Sequence, residues 1–498
     1  MTPLDPRAPV LVGTGQVSAR EDPPSPLGLM VQAAQAAAHG AGPGGTQLLE
    51  RAGSVGVVDL FSWPVPDPGC ALAAALGIEP AETVSTARGG NAPVVLLGDL
   101  AGRIAAGELE VALLAAGEAV TPFMRAVSAG RDTGWPGQPE GTLPSRVVGA
   151  DRDPAHPAEL AAGLIAPVAV YPLIEQAVRA GAGRSPAAHT EHIAGLWERF
   201  AAVARDNPYA WTPGVPAGER IGVPSPGNRL VASPYTKLMT ANIQVDQGAA
   251  LLLCSAGAAQ AAGIPRERWV FVHATAGAHD HWWVGEREAL HRSPALRLAG
   301  EAVLARAGAG IDDVGLLDLY SCFPSAVQVA GAELGVDLAD PARPPTVTGG
   351  LTFAGGPANA YVNHSIATLA TRLRDSGPGA LGLATAVGWY LTKHGVVLLG
   401  SSPPAQPFAA LDVQDGVDAL PRRVIAEGAG GRHPIEAYTV LFARDGSAAS
   451  AIVSVLLAGG ERAYGQSSAA EAGAFLLEGD PLGEAVTLDG AGGFAPAG

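Results

Sequence analysis

A segment in the first half of this chain returns about 259 positions later, and that repeat limits the possible folds more than any other feature. Val55-Gly-Val-Val-Asp59-Leu-Phe-Ser62-Trp63 recurs as Val314-Gly-Leu-Leu-Asp318-Leu-Tyr-Ser321-Cys322. Each copy is an apolar run ending in a polar turn, the pattern of a strand buried on both faces. The flanks repeat in the same order. A strand (Val10–Gly13, Trp269–His273) and an Ala-rich helix (Leu27–His39, Ala295–Ala307) precede each copy. Helical sequence ending near Gly77 or Gly335 follows, then Thr83-Val-Ser or Thr346-Val-Thr. Each half then reaches a glycine turn, Gly89-Gly90-Asn91-Ala92 or Gly355-Gly356-Pro357-Ala358, an apolar helix and a strand, Val111–Ala116 or Ala380–Ala386. Alternating strands and helices predict a layered α/β fold, and the duplication predicts two such halves about a pseudo-dyad.

The halves do not account for the whole chain. Pro122–Pro234 is irregular and then helical, with helices predicted over Tyr171–Ala180 and His189–Arg205. Beyond the Pro-rich break at Ser402–Pro407 the pattern changes to strand-like runs, Glu436–Arg444 and Ser447–Leu457, joined by the hairpin signal Asp445-Gly446. Val424–Ala426 and Ala485–Leu488 also read as strands. The expected organisation is residues 1–121 with 235–262 as a first half, 122–234 as an inserted loop domain, 263–404 as a second half and 405–498 as a small β-rich addition.

The apolar share of 48 per cent and charged share of 16 per cent are those of a globular protein. A net charge of −16 disfavours nucleic acid and anionic membrane surfaces as partners, so an anionic ligand needs a local cluster of cations. No Lys or Arg follows Arg462, and the remaining stretch reads as acidic and solvated. Cys70, Cys254 and Cys322 fit neither a disulfide framework nor a zinc pattern. The side chains of His279-Asp280-His281 lie too close in sequence to suggest a ligand set, and no metal is expected. No leader or membrane span is read, so a cytoplasmic location is the expectation.

The order of these motifs resembles the thiolase superfamily. Its carriers are Gly13-Thr-Gly15-Gln16, Gly107–Glu118, Asp246-Gln-Gly248-Ala-Ala250, Asp318-Leu-Tyr-Ser-Cys-Phe323 and Gly349–Pro357. Within that superfamily the chain resembles the sterol-carrier-protein-type thiolase-like proteins of type 1, which carry an additional C-terminal domain. The resemblance implies a duplicated thiolase fold, acyl-CoA or coenzyme A as ligand with no cofactor, and acetyl-CoA acetyltransferase-like chemistry. Either a homodimer or a monomer is compatible with it.

The residues that perform this chemistry are missing from the matching positions. The nucleophilic cysteine of a thiolase opens the first central helix, where backbone N–H groups lower its pKa. Counting from Gly107 and Glu118 puts that position at Gly90. The Gly-His-Pro turn becomes Gly355-Gly356-Pro357, and the Cys-x-Gly loop becomes Ala386-Val387-Gly388. The His-Asp-Cys-Phe loop aligns with Tyr320-Ser321-Cys322-Phe323. The groups left for acid–base work are Tyr320, Tyr361 and His394. Those left for holding a ligand are Gly90, Asn91, Cys322, Gly355, Gly356 and Ala386, with Arg229, Lys237, Arg179 and Arg184 as cations for phosphate. Three functions are compatible with this set: an acyl-CoA-binding or acyl-transferring protein without thiolysis, a tyrosine-dependent retro-aldolase on a 3-hydroxyacyl-CoA, and a non-enzymatic interaction protein.

Overall fold

The computed structural model describes residues 4–497, so the outermost residues of the first and last expected units lie outside the described residues. Its main sheet runs through both halves. In the first half the strand order is Pro9–Ser18, Asp246–Ser255, Val111–Ala119, Ser54–Val57, Glu82–Thr86. In the second it is Val270–His279, Lys393–Gly400, Leu381–Gly388, Val314–Asp318. Both halves pair antiparallel, antiparallel, then parallel along this order. They meet where Val10 and Leu11 pair with Phe271 and Val270. The repeat in the sequence is therefore a repeat in topology.

Two helices lie between strands of both halves, Ala92–Ala106 and Tyr361–Arg374. Each follows one of the glycine turns. Their inward residues, among them Leu96, Leu97, Leu100, Ile366, Leu369 and Leu373, have no solvent exposure. On the outer side, helix Pro26–Ala41 lies directly on the first strand. Its start is fixed by Ser25, whose Oγ accepts from the N–H of Gly28, and by Pro26 in the first turn. A β-carbon on Gly13 or Gly15 would overlap the carbonyls of Ala37 and Ala33 on that helix. Close helix–strand approach is the reason for the Gly-Thr-Gly motif.

Two expectations change here, and one part of the repeat diverges in structure. Thr346-Val-Thr forms no strand, because these residues turn to hydrogen-bond the buried carboxylate of Asp318 instead. Val424–Ala426 is a single bridge, Ile425 to Arg462, within an extended run. The acidic stretch after Arg462 is folded. It supplies the helix Ala470–Leu477 and the strand Ala485–Asp489, and buries Leu476, Val486, Leu488 and Phe494. Its charges point outward while its apolar residues build the third hydrophobic cluster of the chain.

The hairpin at Asp445-Gly446 joins Gly430–Phe442 to Ala448–Leu456, with Gly446 at φ 87°. This β-rich unit is bound to the rest through Arg462. The guanidinium is fully buried, pairs with both oxygens of Glu436 at 2.6 and 2.7 Å, and donates to the carbonyls of Gly285 and Arg287. A second tie is Arg179, whose guanidinium is bidentate to Asp480 at 2.6 Å. Arg179 is thus spent on docking and is not free for a phosphate.

One further strand was not foreseen. Arg146–Val148 adds to the outer edge of the first half by pairing with Val84–Thr86. Arg146 holds it there through Glu82 at 3.0 Å and Asp99 at 2.7 Å. The edge is thereby covered by the same chain.

Candidate functional site

The four loops that the resemblance singled out converge where the two central helices begin. The N–H of Gly89 donates to Asn359 Oδ1 at 3.2 Å, which ties one glycine turn to the other. The N–H of Gly356 donates to the carbonyl of Asn242 at 2.9 Å. The rings of Tyr320 and Tyr361 meet edge to face, with centroids 5.6 Å apart. Ala386 is buried on the strand that ends at Gly388. Backbone strain collects in the same place: Ala358, Trp389 and Leu391 have φ of 42°, 56° and 54°. Non-glycine residues in this region cost of order 1–3 kcal/mol each and tend to mark functional loops.

The position expected to hold a nucleophile is occupied from the opposite loop. A β-carbon on Gly90 would stand 2.5 Å from the Tyr320 hydroxyl and closer still to the carbonyl of Val387. The phenol fills the space a cysteine side chain would need. Burial, with a smaller contribution from Cys322, pushes the Tyr320 phenol far above its usual range, so it stays protonated and can donate but not act as a base. Cys322 is half-buried, and burial pushes its thiol up to about 12. At neutral pH it holds almost no thiolate.

Asn91 precedes the central helix, yet its side chain makes no capping bond, and its buried Oδ1 has no partner. That oxygen lies between Gly89 and Gly388, within 2.6 Å of where either β-carbon would stand. Lys393 reaches the same gap from the adjacent strand. Its ammonium donates to the carbonyl of Arg88, to that of Ala150 at 3.2 Å and to Asp151 Oδ1 at 3.0 Å. Burial lowers the Lys393 pKa, while Asp151 acts in the opposite direction. Trp389 Nε1 also donates to Asp151, and Trp282 Nε1 to the carbonyl of Asp153. Residues 150–153 are therefore strapped across this end of the helix. Beside it runs a cleft of about 470 Å³ lined by Asn91, Val94, Thr275, His279, Trp282, Lys393 and Gln414 among others.

Two residues read as acid–base groups sit elsewhere or are otherwise engaged. Tyr361 is fully enclosed; its hydroxyl donates to Asp318 Oδ2 at 2.9 Å and lies 2.7 Å from Thr348 Oγ1. Burial first, and then the Asp318 charge, raise its pKa. His394 follows Lys393 on a strand, so its ring lies on the opposite face from the Gly90 turn. Its Nε2 is 3.2 Å from Asp280 Oδ2 and 3.0 Å from Ser293 Oγ, at the start of helix Pro294–Ala307. Asp280 Oδ1 accepts from the Ala295 N–H at 2.9 Å. Burial alone would raise the Asp280 pKa, but the bond from His394 and the nearby positive charges hold it below the ordinary range. This cluster caps a helix.

Arg229 and Lys237 are joined through their backbones, and the Arg229 guanidinium donates to the carbonyl of Leu230 at 2.9 Å. The N–H of Lys237 donates to the Arg229 carbonyl at 2.9 Å, and the Lys237 side chain is exposed. From there the chain leads to Ala241, whose N–H donates to the Cys322 carbonyl at 3.0 Å. Gly355, at φ 112°, packs against the Gln247 side chain. Around Gly356 a β-carbon would meet nothing nearer than 3.4 Å. Arg184 lies 3.5 Å from His189.

The sequence reading missed Tyr171, Lys393 and Asp318. Tyr171 stacks on Phe323 at 4.5 Å and donates to the carbonyl of Trp389 at 3.0 Å, linking the inserted helices to the last loop. Asp318 could have been found from the repeat, since Asp59 and Asp318 are corresponding acids at strand ends. Asp318 accepts from Thr346, Thr348, Tyr361 and Ser365, whereas Asp59 faces Arg88 at 3.5 Å and accepts from Asn359 Nδ2.

A duplicated α/β core with paired central helices and these four loops defines a thiolase-like protein. The chain belongs to the SCP2-thiolase-like proteins of type 1. A monomeric member from Mycobacterium smegmatis is 31% identical, with 99% of this chain and 100% of that chain covered and a TM-score of 0.84. Residues 412–492 match the family described as the thiolase-like protein type 1 additional C-terminal domain. The Ltp2-ChsH2(DUF35) aldolase is 20% identical, covering 80% of this chain and 98% of that one, with a TM-score of 0.59. An Acat5 thiolase from Ascaris suum in complex with coenzyme A is 14% identical over 79% of this chain and 99% of that chain, with a TM-score of 0.54. These last two share the fold alone. The comparison with curated proteins returned no match. Among the described residues no helix is long and apolar enough to cross a membrane.

Proposed function

We propose that this protein binds acyl-CoA where the two central helices begin, and carries or transfers the acyl group without thiolysis. The observation that supports this most is at Gly90. Thiolysis needs a thiolate attacker with an adjacent base, and here a glycine stands under the hydroxyl of Tyr320. Losing such a nucleophile costs on the order of 10⁶ in kcat, about 8 kcal/mol of transition-state stabilisation. The groups that remain suit binding. The protonated Tyr320 hydroxyl can face a thioester oxygen. Arg229 and Lys237 supply positive charge for the phosphates of coenzyme A.

Calorimetric titration with coenzyme A and acetyl-CoA tests the reading. Binding that weakens when Arg229 and Lys237 are both changed to Ala is the expected result, and no heat of binding at millimolar ligand would remove the proposal.

A retro-aldolase reading has one observation in its favour, the contact between Tyr320 and Tyr361. Their raised pKa values weigh against it, because neither phenol can accept a proton at neutral pH. Docking through Arg462 and Arg179 favours an appended unit that is part of the body over one that recruits a partner from a tether. Coverage of the Glu82–Thr86 edge by Arg146–Val148 favours a monomer over a homodimer.

A further inference from the structure

The place proposed for the thioester is closed. Gly90, Tyr320, Ala386 and Val387 are all buried. The cleft of about 470 Å³ beside them is lined by Asn91, Ala150 and Lys393 but by none of these four. A ligand reaches the Gly90 turn only if something moves.

One side chain occupies the gap between the two loops that meet there. A β-carbon on Gly89 or on Gly388 would stand 2.9 Å from Lys393 Cε, so the lysine fills the space between the turn leading to Gly90 and the loop following Val387. The Lys393 side chain is 5% exposed. Its ammonium hydrogens go to the carbonyls of Arg88 and Ala150 and to Asp151 Oδ1. Two of these acceptors belong to the strap of residues 149–153.

The strap is the most releasable part of this cover. All its residues are exposed, and none buries an apolar side chain. Polar ties hold it. Besides Lys393, Trp389 Nε1 donates to Asp151 Oδ1 at 2.6 Å, Trp282 Nε1 donates to the Asp153 carbonyl at 3.0 Å, and the Arg152 guanidinium lies 4.2 Å from the centre of the Trp282 ring. A segment held by exposed hydrogen bonds without buried apolar contacts opens more readily than the core beneath it. Gly149, at φ 89°, supplies a joint directly after the strand Arg146–Val148. The opposite wall is strained at Trp389 and Leu391, whose left-handed backbones persist only where the surroundings impose them. The bond from Trp389 to Asp151 is one such constraint.

We propose that residues 149–153 are a catch and Lys393 the plug it holds. When the strap lifts, Lys393 turns out into water, the gap between Gly89 and Gly388 opens, and a thioester reaches the Gly90 turn. The choice of a thioester rests on the acyl-CoA reading; the catch and plug do not.

The sequence contains two lysines only, Lys393 and the exposed Lys237. Brief acetylation of the full chain with sulfosuccinimidyl acetate, read by peptide mass spectrometry, therefore reports the plug with Lys237 as internal reference. In the parent, Lys393 should label at least about tenfold more slowly than Lys237. Asp151→Ala, at an exposed position, should raise Lys393 labelling at least about tenfold and leave Lys237 unchanged. Arg152→Ala loosens the strap without removing the carboxylate beside Lys393, and should raise the labelling at least about twofold. Stopped-flow mixing with acetyl-CoA, followed by tryptophan fluorescence, should show association at least about tenfold faster in Asp151→Ala, because entry scales with the open fraction. Parent Lys393 labelling as fast as Lys237, a rise confined to Asp151→Ala, no rise in either variant, or equal association rates would each overturn the proposal. Absence of acetyl-CoA binding in both parent and variant would instead remove the acyl-CoA reading, and the labelling would still decide the catch.

Discussion

Placing a cysteine at residue 90 is the obvious way to try to restore a thiolase, and the structure predicts that it fails before any chemistry begins. The new β-carbon would lie 2.5 Å from the Tyr320 hydroxyl and nearer to the backbone carbonyl of Val387. A ring can tilt, but a carbonyl at the end of a buried strand cannot move without its neighbours. Overpacking of this kind typically costs about 1–3 kcal/mol. Gly90→Cys should therefore lower the urea midpoint with an unchanged slope, which separates lost stability from a change in the unfolded state. Tyr320→Ala alone should cost about 3–5 kcal/mol for the cavity it leaves. In the double variant the cysteine has room on one side. The two changes together should then cost at least about 1 kcal/mol less than their separate effects combined, a coupling expected only for residues in contact. A Gly90→Cys protein as stable as the parent, or strict additivity in the double variant, would refute the claim that Tyr320 fills the nucleophile position.

Other consequences can be measured directly. Glu118 has no solvent exposure, and burial raises its pKa to about 7 despite donors from Phe61 and Ser62. The folded state then holds its proton more tightly than the unfolded state, so this contribution is complete below about pH 4.5 and is lost as pH rises to about 7, up to ~3 kcal/mol. Glu118→Gln should flatten the fall in stability between pH 5 and 7, and an unchanged slope would assign the fall to other groups. Asp318→Asn removes a buried charge that organises residues 346–348 and should cost about 3 kcal/mol or more, with faster amide exchange in that segment. Lys393→Met should release residues 150–153, seen as faster exchange there and not in the distant hairpin at Asp445-Gly446. Light scattering of the full chain should give the mass of one 50.0 kDa subunit, and a dimer would contradict the covered edge.

The duplicated fold was legible because each half spells the same succession of strand, helix, strand and glycine turn, and burial on both faces makes such strands readable as unbroken apolar runs. The candidate site was read by subtraction, from glycines and an alanine at the positions where the resemblance expects sulfur or imidazole. Its filling was not legible. Nothing in the order of residues says that Tyr320 crosses to Gly90, or that Lys393 and His394, adjacent in sequence, serve opposite faces of one strand. Thr346-Val-Thr mimics the strand of the first half, yet the buried Asp318 carboxylate claims its backbone and hydroxyls. The strand Arg146–Val148 has too few residues to carry a pattern of its own. It is held by Arg146 ion pairs that only the folded sheet assembles.

Coenzyme A-dependent cleavage of acetoacetyl-CoA is the most direct test of the proposal that this thiolase-like fold works without thiolysis. The purified full chain should leave the acetoacetyl thioester intact over many minutes while still binding it. Turnover near the ordinary enzymatic value of about 10 s⁻¹, retained when Cys322 is changed to Ser, would contradict it.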